Sequence, residues 1–396
     1  MKKVLVPRVR FKGFSEEWKE EKLENIYSFA SEGGTPDTNK DIYYKPGLFY
    51  FTKIEDMANK YIYHTKSKIS ELGLKNSSAW IIPKNNILFS NGATIGNVSI
   101  NKVDLSTKQG IVGMIIKKKF NLEFIYYLLK SENFQSKVAE KITVGTIPTV
   151  AIFNLKKIEL FLSKNIYEQQ KIGKLLDQIS NLITLEEIKL NKLKQLKQTL
   201  LQKMFPEGNS KTPRIRFKWF SKEWKEERLE ETVNILDNLR IPVKESLRSP
   251  GAYKYYGANG IQGKINGYTH QGENILIAED GANDLNNYPL IFEKNKIWVN
   301  NHAHVVTSNN PNLLKNYFLY LSLKKVNFSD YILGTQRYKL TLSNLKEVLF
   351  VITKNIDEQQ KIGDFFCKID TLINLYQSKL NKLKQIKEAL LQKMFV

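Results

Sequence analysis

The chain has 396 residues, 42% hydrophobic and 26% charged, an ordinary globular composition that suits two or three domains with a buried core. Its 61 Lys and Arg against 40 Asp and Glu leave a net charge of +21, which points to a polyanionic partner, nucleic acid before a membrane surface. The single cysteine, Cys367, excludes a disulfide framework within one chain, no long apolar run offers a membrane span, and the apolar run in "MKKVLVPRVRF" is too short for a signal peptide, so a cytoplasmic location is expected.

The first element is "PRVRFKGFSEEWKEEKLE" at residues 7–24, which returns as "PRIRFKWFSKEWKEERLE" at 213–230, an offset of 206. Residues 25–163 follow. In them "KPGLFYFTKI", "NNILFSNGATIGNVSI" and "QGIVGMIIKK" read as strands joined by Gly/Asn turns, and "LEFIYYLLKSENFQSKVAE" reads as a helix. A long helical block then opens with "KNIYEQQKIG" at 164–173 and closes with "KLNKLKQLKQTLLQKMF" at 189–205. "PEGNSKTP" at 206–213 stops the helix and links to a second start. In the second variable region, 231–353, "ENILIAEDGAND", "NKIWVNNHAHVVTS" and "LLKNYFLYLSLKK" repeat the order of strands and then a helix. The chain closes on "KNIDEQQKIG" at 354–363 and "KLNKLKQIKEALLQKMF" at 379–395. The last segment is identical to its first copy at 14 of 17 positions, at an offset of 190.

A period this long implies two whole domains, each with its own helix, and not a solenoid of short repeats. The expected divisions are 1–163 and 206–353 for the domains and 164–205 and 354–396 for the helices. Stepping by four and three along the first helix gives Ile172, Leu176, Ile179, Ile183, Glu186, Leu190, Leu193, Lys197, Leu200 and Met204. The second gives Ile362, Phe366, Ile369, Ile373, Tyr376, Leu380, Leu383, Lys387, Leu390 and Met394. A stripe of this kind supports a coiled coil, and its nearest partner is the other copy. The alternative is two amphipathic helices that each pack on their own domain. A helix of about 38 residues would span about 57 Å. Its lysines lie mostly off the stripe, as on any solvated face. The expected fold class is α+β: two mixed α/β domains separated by two long helices that pair antiparallel, with a pseudo-twofold internal repeat.

Several motifs suggest chemistry and fall short of it. "GANGIQGK" at 257–264 lacks the glycine spacing and the Ser or Thr of a phosphate loop. "HAH" at 302–304 would put two rings on one face of a strand, but no Cys, Asp or third His supplies a convincing third ligand, so no metal is expected. "EWK" at 17–19 and 223–225 has the Glu-x-Lys of a metal nuclease without a suitably placed Asp ahead of it. Tyr253, Tyr255, Tyr256 and Tyr268 stand near Lys254, Asn259, Gln262 and Lys264, where amides suit base-edge readout. The same Asn and Gly residues also serve simply as turn formers.

The whole chain resembles the specificity (S) subunits of type I restriction–modification systems. The likeness lies in "RFKGFSEEWKEEKL" and "RFKWFSKEWKEERL", "GATIGNVSI", "YGANGIQGKI", "ILIAEDGAN", "VNNHAHV", "GT…NLKKIEL" and "NIYEQQKIG", and above all in their order and duplication. The resemblance implies two target recognition domains, each reading one half of a bipartite DNA site. Because the two domains differ, the halves differ and the site is non-palindromic. It implies that the helices fix the unread spacer, so that lengthening one near Thr199 lengthens the spacer. It also implies docking of two methyltransferase subunits, and of restriction/translocase subunits in the full complex. The chain itself would do no chemistry. S-adenosylmethionine, ATP and Mg are expected on the partners and no cofactor here. Polar residues at Gly-rich or strand-end positions within these motifs are the candidate contacts to double-stranded DNA: Asn91, Thr94, Asn97, Lys108 and Gln109, then Asn259, Gln262, Asn283, Asn301, His302, Gln336 and Arg337. A DNA-cleaving or modifying enzyme with an unrecognised site, and a coiled-coil RNA-binding or scaffold protein, are the competing readings.

Overall fold

A computed structural model of the chain describes residues 6–143, 145, 148–208, 210–334 and 338–396. It divides into two compact units, Met1–Glu187 with Ser378–Val396, and Ile188–Gln377. The division does not follow the sequence repeat. Each long helix, Ile166–Lys203 and Ile356–Met394, starts in one unit and ends in the other.

In the first unit, strand β1 (Lys19–Lys22) is the frame strand. The recognition domain adds β2 (Tyr27–Glu32), β3 (Phe49–Thr52), β4 (Tyr61–Ile62), β5 (Ser67–Ile69), β6 (Asn86–Ser90), β7 (Val98–Asn101), β8 (Leu105–Thr107) and β9 (Ile111–Ile116), and β10 (Glu159–Leu162) returns to pair antiparallel with β1. Five strands form one sheet in the order β2-β9-β6-β7-β4, and three form another, β5-β3-β8. In the smaller sheet the central strand runs antiparallel to one neighbour and parallel to the other.

The second unit carries the same plan. Frame strands β11 (Lys225–Arg228) and β19 (Leu349–Ile352) pair antiparallel. Between them lie β12 (Val233–Ile235), β13 (Tyr253–Gly257), β14 (Gly260–Ile265), β15 (Asn274–Ala278), β16 (Leu290–Glu293), β17 (Ile297–Val299) and β18 (Ala303–Ser308). The main sheet is β12-β18-β15-β16, and the smaller one is β14-β13-β17, again antiparallel on one side and parallel on the other. The two variable regions, so unlike in sequence, therefore share one topology, to which the first adds β4 at the edge of its main sheet.

The duplicated residues explain what they hold. Arg10 donates to both oxygens of the fully buried Glu168 at 2.6 and 3.0 Å, and Trp18 Nε1 donates to the same carboxylate at 3.3 Å. Arg216 grips Glu358 in the same way, at 2.6 and 2.8 Å. Gln169 accepts the Asn121 N–H and donates to Ser163 O, and Gln359 accepts the Lys315 N–H and donates to Thr353 O. The repeated "EQQ" thus clamps frame, domain helix and long helix together by buried polar bonds. Such bonds hold one geometry and are costly to break singly.

The helix stripe is shared between domain cores and the other helix. In the first unit, Ile172 and Leu176 pack into the domain core together with Leu390, Met394 and Phe395, which end the second helix. The Phe395 ring lies 5.4 Å from Phe124 and 6.2 Å from Trp18, and Val9 N–H donates to Lys393 O at 3.0 Å. In the second unit, Ile362, Phe366 and Ile369 share a core with Met204 and Phe205, with Leu193, Leu200 and Ile373 at its edge. Phe205 lies 5.4 Å from Trp224 and 5.7 Å from Phe318, and Ile215 N–H donates to Lys203 O at 2.9 Å. Ile179, Ile183, Leu190 and Leu380 are also buried, while Leu383 is half-buried. The pairing is antiparallel within the first unit: early residues of one helix meet the last residues of the other, and Glu186 pairs with Lys379 at 2.9 Å. The stripes meet each other as expected, and their ends are in addition core residues of the domains.

Truncating Phe395 to Ala should therefore destabilise the first unit by about 3–4 kcal/mol; Phe205→Ala should do the same to the second. Denaturant unfolding followed by hydrogen exchange in each unit would check both.

Candidate nucleic-acid interface

One end of each main sheet gathers most of the candidate residues. In the first domain, the turn after β6 closes through Ser90: its N–H donates to Asn97 O at 2.9 Å, its hydroxyl accepts the Asn97 N–H at 2.8 Å and donates to Thr94 O. Asn91 and Gly92 both donate N–H to Gly110 O, at 3.0 and 3.3 Å, which draws in the loop before β9. These glycines touch backbone to backbone: a Cβ on Gly92 would lie 3.3 Å from Gly110 Cα. A third segment joins when Val150 N–H donates to Asn91 O at 2.8 Å and Asn91 Nδ2 donates back to Val150 O at 3.1 Å. Thr94, Lys108 and Gln109 are exposed at this junction and Asn97 is half-buried. Asn91 is buried at 4%, so its amide donor is committed inside the protein.

The second domain builds the same end. Glu279 N–H donates to His302 O at 2.9 Å, and Leu340 N–H donates to Glu279 O at 2.8 Å. By these bonds Glu279 stands where Asn91 stands, and Leu340 where Val150 stands. Asn259 Nδ2 donates to Gly281 O at 2.8 Å and its Oδ1 accepts the Asn283 N–H at 3.0 Å, so the β13–β14 turn is docked on the loop after β15. Asn300 Nδ2 reaches Gln262 Oε1 at 3.5 Å, and His302 Nδ1 lies 3.7 Å from Asp280 Oδ2. Asn259, Gln262, Asn283 and Asn301 are exposed, and His302 is half-exposed. Gln336 and Arg337 lie outside the described residues. The hairpin of β13 and β14 also accounts for "GANGIQGK", where Gly260 takes φ +121° in the turn and no helix follows. Tyr255 and Tyr256 are core residues at 1% exposure, which leaves Tyr268 and, in part, Tyr253 at the surface.

Sequence reasoning missed the network behind this end. His302 precedes the first residue of β18 and sits in a turn, whereas His304 lies within the strand and is buried at 1%. The two rings therefore do not share a face, because the alternation rule applies only to residues within a strand. His304 Nδ1 meets Asp237 Oδ2 at 2.6 Å, and Glu279 Oε2 lies 3.7 Å away. These carboxylates come from distant turns, so nothing local in "HAH" announced them. Arg240 fills the space between: Nη1 donates to Glu279 at 2.6 Å and to Ala303 O at 3.0 Å, and Nη2 lies 3.2 Å from Asp237. Burial pushes the Asp237 carboxyl up. The hydrogen bond and charge of His304, helped by the Val305 N–H and Arg240, outweigh that and hold it below the usual carboxylate range.

The arrangement suits contact with an extended polar surface. The sheet ends present exposed amides, hydroxyls and Lys108 on short, tightly bonded loops. Such groups can make bidentate bonds to base edges, while cations elsewhere on a +21 chain meet phosphates.

Comparison with known proteins adds the following. A family model described as "Type I restriction modification DNA specificity domain" matches residues 15–195 and 221–385. The chain is similar to the type I restriction enzyme MjaIX specificity subunit of Methanocaldococcus jannaschii, at 26% identity over 407 residues, 96% of this chain and 92% of the relative. A Haemophilus influenzae protein named as a type I restriction enzyme specificity subunit, S.HindORF215P, is 48% identical over 126 residues, 32% of each chain. A solved type I restriction–modification S subunit from M. genitalium matches with a TM-score of 0.71 at 17% identity over 99% of each chain, a likeness of fold.

Replacing Asn91 by Asp turns a donor to the Val150 carbonyl into a second acceptor. It is expected to cost about 2 kcal/mol and to loosen this junction, as measured by thermal unfolding and by amide exchange at Val150.

Proposed function

Because the chain belongs to the type I restriction–modification DNA specificity family, we propose that each of its recognition domains reads one half of a bipartite, non-palindromic DNA site through its loop end. The observation that carries this reading is the repeated topology with unlike residues at equivalent positions: Asn91 against Glu279, and the 108–110 loop against 300–302. A fixed scaffold with exchanged loop residues is what two different specificities require. Affinity would come chiefly from Lys and Arg on phosphates, and specificity from a few loop side chains.

The long helices set the length of the unread spacer in this account. They also dock two modification subunits, which supply S-adenosylmethionine chemistry, while restriction subunits bring ATP and Mg; this chain performs no chemistry and holds no cofactor. It works in the cytoplasm, where it meets the chromosome; among the described residues no helix is long and apolar enough to cross a membrane. A paired set of exposed apolar residues supports docking of two like partners. Leu182, Leu185 and Leu196 are 45%, 53% and 50% exposed, and their repeat counterparts Leu372, Leu375 and Ile386 are 44%, 62% and 49% exposed. Both copies thus keep outward apolar residues at the same repeat positions.

Deleting the gene should abolish adenine methylation at a two-part motif in the host methylome; methylation that persists would contradict the reading. Charging the outward face with Leu185→Glu and Leu375→Glu should weaken capture of the modification subunits at least tenfold, a difference of about 1.4 kcal/mol, without lowering the unfolding temperature. The spacer is tested by insertion. Near Thr199 an insertion would drag Leu200, Leu201, Met204 and Phe205 out of the second core. Seven residues added after Glu187 and seven after Gln377 avoid this and keep the stripe in phase. About 10 Å of added helix corresponds to about three base pairs at roughly 3.4 Å each. The methylated motif should gain a spacer about that much longer, with both half-sites unchanged.

A further inference from the structure

One backbone carbonyl occupies the same place in both domains and is satisfied by different chemistry. In the first it is Val150 O, which accepts from the Asn91 amide at 3.1 Å. In the second it is Leu340 O, which faces His304 Nε2 at 2.8 Å. The donors come from different strands. His304 lies opposite Ile277 in the β15–β18 pair, and the equivalent residue of β9, opposite Phe89, is the apolar Val112.

His304 is enclosed by acceptors. Its Nδ1 meets Asp237 Oδ2 at 2.6 Å, and its Nε2 meets the Leu340 carbonyl. A neutral imidazole has one N–H, so it would turn a lone pair toward either a carboxylate or a carbonyl. Only the imidazolium donates both bonds. The surrounding charges permit it: Asp237 and Glu279 face Arg240 and the imidazole, with Lys339 3.8 Å from Glu279. His270 approaches from the other side of the same turn, its Nε2 on Leu236 O at 3.1 Å. The Leu340 carbonyl belongs to a segment that lines the loop end, since Gly281 N–H donates to Tyr338 O at 3.1 Å and Asp280 bridges to Lys339.

We propose that His304 is a positioning residue for the second recognition domain, and that it makes reading of the second half-site alone weaken as pH rises. With both ring nitrogens protonated, it clasps Leu340 and so holds residues 338–340 against the loop after β15. When the imidazole loses its second proton, the proton remaining on Nδ1 stays with Asp237, and the Leu340 bond is lost. The first domain has an amide in this role, and an amide does not titrate. The inference rests on the half-site reading above.

The test uses the chain with its modification subunits and three duplexes: the complete site, and the site with one or the other half scrambled. Affinity for the complete site should fall roughly fivefold, the worth of one hydrogen bond, as pH is raised. The same fall should persist with the first half scrambled and vanish with the second half scrambled. His304→Gln, a donor with no proton to lose, should flatten the profile, and His64→Gln, an exposed histidine of the first domain outside the candidate contacts, should leave it as in the unmodified chain. Nitrogen-15 spectra of the unmodified chain should show both ring N–H groups of His304 at the acid end of the profile, a readout that does not depend on how the variants fold. A flat profile, a fall that survives scrambling of the second half, or a single ring N–H would overturn the proposal while leaving the half-site reading intact. If scrambling either half changes nothing at any pH, the half-site reading itself fails, and the proposal with it.

Discussion

The burial of one phenylalanine at the far end of each long helix is the constraint from which the architecture follows. Phe395 closes the core that Trp18 and Phe124 begin, and Phe205 does so beside Trp224 and Phe318. Within each unit a helix end seated in a packed core has its direction and its register there fixed. The identical frame bonds, Val9 to Lys393 and Ile215 to Lys203, lock the same two ends. This is why "LLQKMF" recurs almost unchanged: its Leu, Met and Phe are core residues of a domain encoded elsewhere in the chain.

On that frame the loop ends are free to vary. The bonds that shape them run between backbone groups, as with Glu279 N–H on His302 O and Asn91 N–H on Gly110 O, and therefore tolerate almost any side chain. Where a side chain does contribute, the two domains differ: an amide secures Val150, and a buried imidazole within an ionic cluster secures Leu340. Specificity can then change without disturbing the core, which suits a subunit whose task is to direct partners to a DNA sequence.

The sequence made the frame and helices legible because near-identity in blocks of 10 to 18 residues, returning at offsets of 190 and 206, leaves little room for chance. Helix bounds expected at 164–205 and 354–396 lie within two residues of Ile166–Lys203 and Ile356–Met394. The shared topology of the variable regions was hidden because strands of two to six residues carry too little pattern to align. Most of the described candidate residues lie at one end of each domain, since Gly-rich turns mark strand ends. Their orientation was not legible. Asn91 turns inward because the return segment offers it a carbonyl, and His304 is buried because carboxylates from two distant turns and Arg240 surround it. Long-range partners of this kind leave no local signal.

The most direct measurement of the central claim exchanges residues 25–163 for the corresponding region of another family member and maps methylated motifs before and after. The account predicts that one half of the motif changes, while the other half and the spacer stay as they were. A change in both halves, or an altered spacer with both halves intact, would contradict it.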